Sequence, residues 1–312
     1  MFETTLWKVI GMLFTMIPGY LVMKLKIAKE FDLKALSTNL LYVATPFMLI
    51  SAFLKMEFSW ETLGLMGLFF VISFLLQAAM LAAVFFLIRK RHNDTDHRVL
   101  CTESALGNVG YFGMPIAVAL FPDQPIAAAF ATIMCLGMSI LAFTFGEYAV
   151  TNNTKFISLK QVFLNPTSIG LYIALVLYVL HGNRWMPKTL SDACASFSNM
   201  TAPLSMSILG MRLASESFGE IFKNKLVYMI MLLKLIIFPL FGFAVSYFLP
   251  LPYHFKACMV VMCATPVAAV CLSMSEKHDS GQKLAANGLL LSTIASVVTI
   301  PLLTLLLPLF QY

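Results

Sequence analysis

A chain of 312 residues that is 60% hydrophobic and only 12% charged, with a mean hydropathy of +0.85, lies outside the range of soluble domains and belongs in lipid. Its net charge of +6 does not mark a nucleic-acid surface, because the basic residues sit in short connectors between apolar runs and form no continuous stripe with aromatics. The six cysteines, Cys101, Cys135, Cys194, Cys258, Cys263 and Cys271, fall mostly inside apolar runs with no C-x-x-C pair or histidine at metal spacing, a pattern of packing that implies neither disulfides, nor a metal, nor a catalytic centre.

A bilayer core of about 30 Å needs about 20 apolar residues per helical span. Runs of that size predict spans at 6–23, 33–54, 63–88, 99–121 and 126–150 and, after a polar stretch from Thr151 to Gln161, at 166–180, 195–214, 226–248, 255–274 and 284–309. The opening Met1–Phe2–Glu3 shows neither a basic leader nor a small-residue cleavage pattern, so the first run is expected to stay as a span. The expected architecture is all-α, with ten transmembrane helices in two five-helix halves, 1–150 and 163–312, joined by a cytoplasmic connector over 151–162. An odd number of spans per half gives the halves opposite orientations, the inverted-repeat plan of many secondary transporters. Punctuation supports a duplication: Pro18 and Pro166 mark the first spans, Asn39 with Pro46 and Asn199 with Pro203 the second, and Pro115 and Pro266 the fourth.

Connectors on one side carry Lys24, Lys26, Lys29, Lys34, Arg89, Lys90, Arg91, Arg98, Lys155, Lys160, Arg212, Lys223, Lys225, Lys277 and Lys283; the other side has Lys8, Lys55, Arg184, Lys188 and Lys256. The excess of positive charge predicts which side is cytoplasmic and puts both termini outside.

The fourth span is interrupted by Gly107–Asn108–Val109–Gly110–Tyr111–Phe112–Gly113–Met114–Pro115. Pro115 has no N–H and clashes with the preceding turn, and glycine permits unusual backbone angles, so a helix break is expected, with Gly113 and Pro115 among its causes. Polar backbone freed at that depth is tolerated only when buried in protein or lining a cavity, and half-helix N-termini there attract anions. Asn108 adds amide donors without the desolvation cost of a buried charge, beside the backbone of Gly107, Val109 and Gly110. A kinked helix packed tightly through its glycines is the competing reading. In the second half Thr265, Pro266 and Val267 occupy the corresponding place, with Pro266 as the breaker.

These segments carry a resemblance. Gly107–Asn108 through Gly113–Met114–Pro115–Ile116, Leu164–Asn165–Pro166, Ala202–Pro203–Leu204 through Leu209–Gly210–Met211, Ala264–Thr265–Pro266, and Leu291–Ser292–Thr293 through Ser296 to Thr299–Ile300–Pro301 resemble, in order, the auxin efflux carrier family, whose bacterial members include malate and malonate permeases. The resemblance implies a fold similar to the bile acid sodium symporters, in which spans 1, 2, 6 and 7 form a scaffold, spans 3–5 and 8–10 form a moving transport domain, and spans 4 and 9 cross. It further implies a homodimer through scaffold spans 2 and 7. In plant members the Asn of the first crossover binds the substrate carboxylate, and by position that residue is Asn108. Relatives often carry Asn or Gln just after the second crossover proline, whereas Val267, Ala268, Ala269 and Val270 are apolar here, which separates this chain from the plant substrate.

Ionisable groups inside spans are few. Glu103 and Glu147 are the carboxylates within the fourth and fifth runs and are the candidates for coupling, to a proton or to sodium; facilitated diffusion stays open. Lys234 stands mid-span, about 13 Å along the helix from Lys225, where it either attracts an anion, pairs with a carboxylate such as Glu103, or snorkels. The stripe Asn287, Ser292, Thr293, Ser296 and Thr299 marks either a helix-packing face or a cavity wall. The reading reached is a carrier of small organic anions in the cell membrane that uses no cofactor. Its alternatives are a ligand-sensing receptor and, behind it, a membrane-embedded enzyme, which would need a nucleophile, base or metal cluster that the sequence does not place at one depth.

Overall fold

The computed structural model describes residues 2–215 and 224–311; Met1 and Lys223, the latter counted above among the cytoplasmic cations, lie outside them. The described residues are helical and contain no strand, only one isolated antiparallel bridge. In chain order the helices are α1 (Thr5–Lys24), α2 (Phe31–Leu54), α3 (Trp60–Arg91), α4 (Thr95–Glu103), α5 (Val109–Leu120), α6 (Ile126–Thr151), α7 (Thr154–Val179), α8 (Lys188–Ser215), α9 (Lys225–Tyr247), α10 (Tyr253–Cys263), α11 (Ala269–Lys277) and α12 (Gln282–Thr304). Seven of them, α1, α2, α3, α6, α7, α9 and α12, are long and apolar enough to cross a membrane. The chain is thus a multi-pass membrane protein. α8 has 28 residues but falls short of that hydropathy, and the runs expected at 99–121 and 255–274 are each broken in two.

Local chemistry explains where the helices begin and bend. Asp94 accepts the Asp96 N–H (3.1 Å) at the start of α4, and Asn224 accepts the Leu226 N–H (3.0 Å) at the start of α9. Within α7, Asn165 accepts the Ser168 N–H (2.8 Å) just ahead of Pro166. Each satisfies an N–H that has no partner within its own helix. Among the described residues four helices contain a π-turn, at Leu40–Ala44, Val109–Gly113, Ala142–Gly146 and Leu232–Ile237, and all but the one in α6 are followed two residues later by a proline: Pro46, Pro115 and Pro239. Proline lacks the N–H and crowds the carbonyl four residues back, so the turn before it widens. At Thr45 the side chain also helps, its hydroxyl donating to the Leu40 carbonyl at 2.7 Å.

Two groups of helices result. α8 lies across α1 and α2, and α7 packs on α2. Glycines make the approach: a Cβ on Gly210 would run into the Met16 carbonyl and one on Gly19 into the Ser207 carbonyl, while one on Gly170 would stand 2.7 Å from Cα of Pro46. The other group centres on α6, which packs on α3 and α10, with α9, α10 and α12 alongside. Phe69, Phe130 and Phe255 tie α3, α6 and α10 together, with ring centroids 4.3–5.2 Å apart. In the most apolar stretch of α6, 78% of residues are buried, against 17% in α1, which sets α6 at the centre and α1 at the rim. Exposed Trp7, Phe14, Phe86 and Phe248 suit a lipid-facing surface.

Gly210→Ala is expected to lower the unfolding free energy of the detergent-solubilised protein by about 1–3 kcal/mol, because backbone must move to admit the methyl. Gly11→Ala, where no atom lies within 4 Å of the added carbon, should be neutral or stabilise by up to about 1 kcal/mol. Thermal or denaturant unfolding of the two variants side by side checks this.

Candidate functional site

The two broken helices follow one plan. α4 ends at Glu103 and α10 at Cys263; each is followed by two turning residues, Ser104–Ala105 or Ala264–Thr265, and then by a short extended piece. The extended pieces pair antiparallel at Gly107 and Val267. The Asn108 N–H donates to the Pro266 carbonyl (2.7 Å), and the Ala268 N–H donates to the Leu106 carbonyl (3.0 Å). Buried backbone that has left a helix must find partners, and here each break supplies them to the other. The Val267 N–H is held by Ser292 Oγ of α12 at 3.1 Å.

This register corrects one expectation. The breaks fall at 104–108 and 264–268, so Pro266 occupies the place of Leu106 and the position matching Asn108 is Ala268; Pro115 lies nine residues downstream of its supposed mate. Pro115 sits at the start of the regular helix after the π-turn, because proline is readily accepted where its N–H would be unpaired. Gly113 serves contact rather than a break, since a Cβ there would stand 2.8 Å from Cγ2 of Thr265.

A cavity of about 340 Å³ lies between the two helix groups. One wall comes from α2 and α8, with Thr45, Met48 and Ser205; the other comes from Asn108, Val109 and Gly110, from Ala268 to Val270, and from Thr132, Cys135 and Ser139 of α6. Asn108 is only 5% exposed, and among the described residues its carboxamide has no hydrogen-bond partner. The α6 residues recur at intervals of three and four, a helical stripe that is visible in the sequence but was not expected to matter there.

Charge gathers at one end. Glu147, Lys277 and Arg212 line the cavity. Buried Glu147 accepts from Lys277 Nζ (2.8 Å) and lies 2.6 Å from His278 Nε2, and Arg212 donates to Glu276 (2.8 Å), joining α8 to α11. Lys234 does not reach the cavity. It lies behind the breaks, fully buried, with Nζ donating to the Cys263 carbonyl at 2.7 Å and standing 4.8 Å from the centre of the Phe238 ring. A Cβ on Gly107 would come within 2.9 Å of that Nζ and closer still to the Thr265 hydroxyl. The ammonium thus meets the carbonyl end of α10, the negative end of a helix, and the π face of a ring.

Of the expected contact residues, the structure therefore turns Asn108, Val109 and Gly110 toward the cavity and sets Gly107, Thr265, Pro266, Val267 and Lys234 at the junction behind it. Glu103 is fully buried with neither oxygen partnered, and no ion pair joins it to Lys234. The α12 stripe is a packing face: Ser292, Thr293 and Ser296 return their hydroxyls to their own helix, and none lines the cavity.

A multi-pass helical protein with an internal cavity walled by two helix groups is built as a membrane transporter. Residues 147–304 match the family described as membrane transport protein, and the chain belongs to that family, the auxin efflux carriers. It is also 24% identical over 304 residues to an uncharacterized transporter of Methanocaldococcus jannaschii, an alignment that spans 94% of this chain and 96% of that protein.

Lys234→Met is expected to destabilise the protein by about 1–3 kcal/mol, because the Cys263 carbonyl loses its donor in a buried setting. Unfolding measurements that show no loss would mean that the ammonium only fills space.

Proposed function

We propose that the protein carries small organic anions, carboxylates first among them, across the cell membrane by alternating access. The observation that carries this reading is the Asn108 carboxamide, which lines the cavity at the head of α5 and has no hydrogen-bond partner among the described residues. An amide that faces an internal cavity with its hydrogen-bonding groups free is placed to take a ligand there. The N-terminal ends of α5 and α11 both border the same space, and helix N-termini favour negative charge. A carboxylate there accepts from the Asn108 side chain while the lining of Met48, Met114, Cys135 and Met138 takes the apolar part of the molecule. With no amide at Ala268, recognition rests on the first break, and a small dicarboxylate such as malate or malonate fits better than a large aromatic acid.

The transport cycle in this proposal uses the ten-span inverted repeat. α1, α2, α7 and α8 act as the scaffold, and the group that holds both breaks moves against it. Spans 2 and 7, α2 and α8 here, supply the homodimer contact, and both termini face outside. Arg212 and Glu276 join scaffold to moving body at the end where basic residues gather, so their separation accompanies opening toward the cytoplasm.

The test is a thermal-stability screen of the purified protein against mono- and dicarboxylates, followed by counterflow in liposomes. A ligand that binds only the folded state raises stability by about 2.7 kcal/mol at a hundredfold excess over Kd. Wild type should be stabilised by at least one acid and Asn108→Ala by none, with the variant's unliganded melting unchanged within about 1 kcal/mol. Equal stabilisation of the variant would remove Asn108 from the site.

A further inference from the structure

Glu103 is a buried acid for which neither the fold nor the proposed anion site has a use. It ends α4, five residues before Asn108, and both of its oxygens are enclosed without a hydrogen-bond partner. The space it fills is provided by α12: a Cβ on Gly288 would fall on the carboxyl group itself. One helix has therefore given up a side chain where another places an acid.

The helices packed against α4 bring no charge to match it. From α11 the facing group is the thiol of Cys271; Glu276 is held by Arg212, and Lys277 by Glu147. From α9, Lys234 is spent on the Cys263 carbonyl, and Lys225 and Tyr228 lie at the start of that helix. From α6, Glu147 is held by Lys277 and His278, with Tyr148 next to it. On α12, Lys283 lies more than a turn before Gly288, and on α3 the nearest cations, Arg89, Lys90 and Arg91, are exposed. On α4 itself, Asp94 and His97 pair with each other, and Asp96 and Arg98 belong to the first turn. Among the described residues no ion pair reaches Glu103.

An ionised carboxylate in this place would be desolvated, unpaired and set at the negative end of a helix. Two things can relieve it, a proton or an inorganic cation. A hard cation needs several oxygen ligands, and the groups that face the carboxyl from α12 and α11, the bare Cα of Gly288 and the Cys271 thiol, supply none. A glycine face and a thiol suit the small neutral acid instead.

We propose that Glu103 is a proton-binding site, held as the neutral acid in this conformation and mounted on the same broken helix as Asn108. Only an O–H bond is involved: the carboxyl takes one proton from water when its site opens and returns one proton when it opens again. The proton is then carried by the body that carries the carboxamide, whichever substrate that body takes.

Infrared spectra of the purified wild type at neutral pH, without substrate, should contain a protonated-carboxyl C=O band that disappears in Glu103→Gln and persists in Glu147→Gln. Gly288→Ala, which displaces the carboxyl, should shift it. In parallel, the melting temperature of the wild type should fall with rising pH relative to Glu103→Gln, since a proton held by the folded chain and released on unfolding makes stability decline as pH rises. Absence of the band in wild type, its survival in Glu103→Gln, or parallel melting profiles would each overturn the assignment. So would a band removed by sodium chloride but not by choline chloride, which would make Glu103 a cation site. None of these readings depends on which anion is carried, so they stand or fall apart from the carboxylate proposal.

Discussion

Two backbone hydrogen bonds, Asn108 N–H to the Pro266 carbonyl and Ala268 N–H to the Leu106 carbonyl, allow helices to be interrupted at membrane depth. Lipid offers no partner to an N–H or carbonyl that has left its helix, and each one left bare costs several kcal/mol. A single break would have to be sealed by side chains; two breaks meeting antiparallel seal one another. The pairing thereby fixes α4, α5, α10 and α11 as one object, and the orientation of Asn108 follows from it. Its main chain is committed backward to Pro266, which leaves the side chain to the cavity. Ser292 and Lys234 close the junction from behind, one on the Val267 N–H and the other on the Cys263 carbonyl.

The rest of the molecule divides according to how it contacts this object. α1, α2, α7 and α8 are joined by close backbone approach at Gly19, Gly170 and Gly210, contacts that work by shape and would not survive sliding. Between that group and the paired breaks lies the cavity, with Thr45 and Tyr111 hydroxyls 3.1 Å apart across it and the Arg212–Glu276 pair at its charged end. Contacts within each group combine interlocked apolar packing with buried polar pairs such as Glu147–Lys277. Those between the groups include polar pairs that can exchange protein partners for water, so in the proposed cycle this boundary is the plane of motion.

Much of this was readable in the residues. Hydrophobic runs located the seven helices that are long and apolar enough to cross a membrane, and the cluster of glycine, amide and proline around Asn108 located a break. What misled was proline itself: Pro115 and Pro266 look like counterparts, yet one begins a helix after a widened turn while the other lies in an extended strand-like piece. Proline marks a place where the helix bond is missing without saying whether the chain bends or stops. The roles of Gly288 and Ser292 were hidden for another reason. Each acts across the fold on a partner with no fixed spacing from it, Gly288 by lacking a side chain beside Glu103 and Ser292 by accepting from Val267. Lys234 reads as a mid-span group that either meets an anion, pairs or snorkels, but its direction, toward the α10 carbonyls and away from the cavity, follows from how α9 packs on α10 and has no signal in the spacing.

The two buried ionisable groups near the breaks are treated in opposite ways, and the difference bears on how the body they share would move in the proposed cycle. Lys234 has its charge answered locally, by a helix end and an aromatic face that belong to the same helix group, so it remains matched wherever that group goes. Glu103 has no such answer within the group, only the room left by Gly288. A charge matched internally costs no more in one position of the body than in another. An acid matched by nothing but a proton ties movement to the gain or loss of that proton, because crossing the membrane ionised would carry the whole desolvation penalty with it. The asymmetry gives Lys234 the part of holding the junction together and, within the proposed cycle, gives Glu103 the part of the group whose occupancy decides when the junction moves.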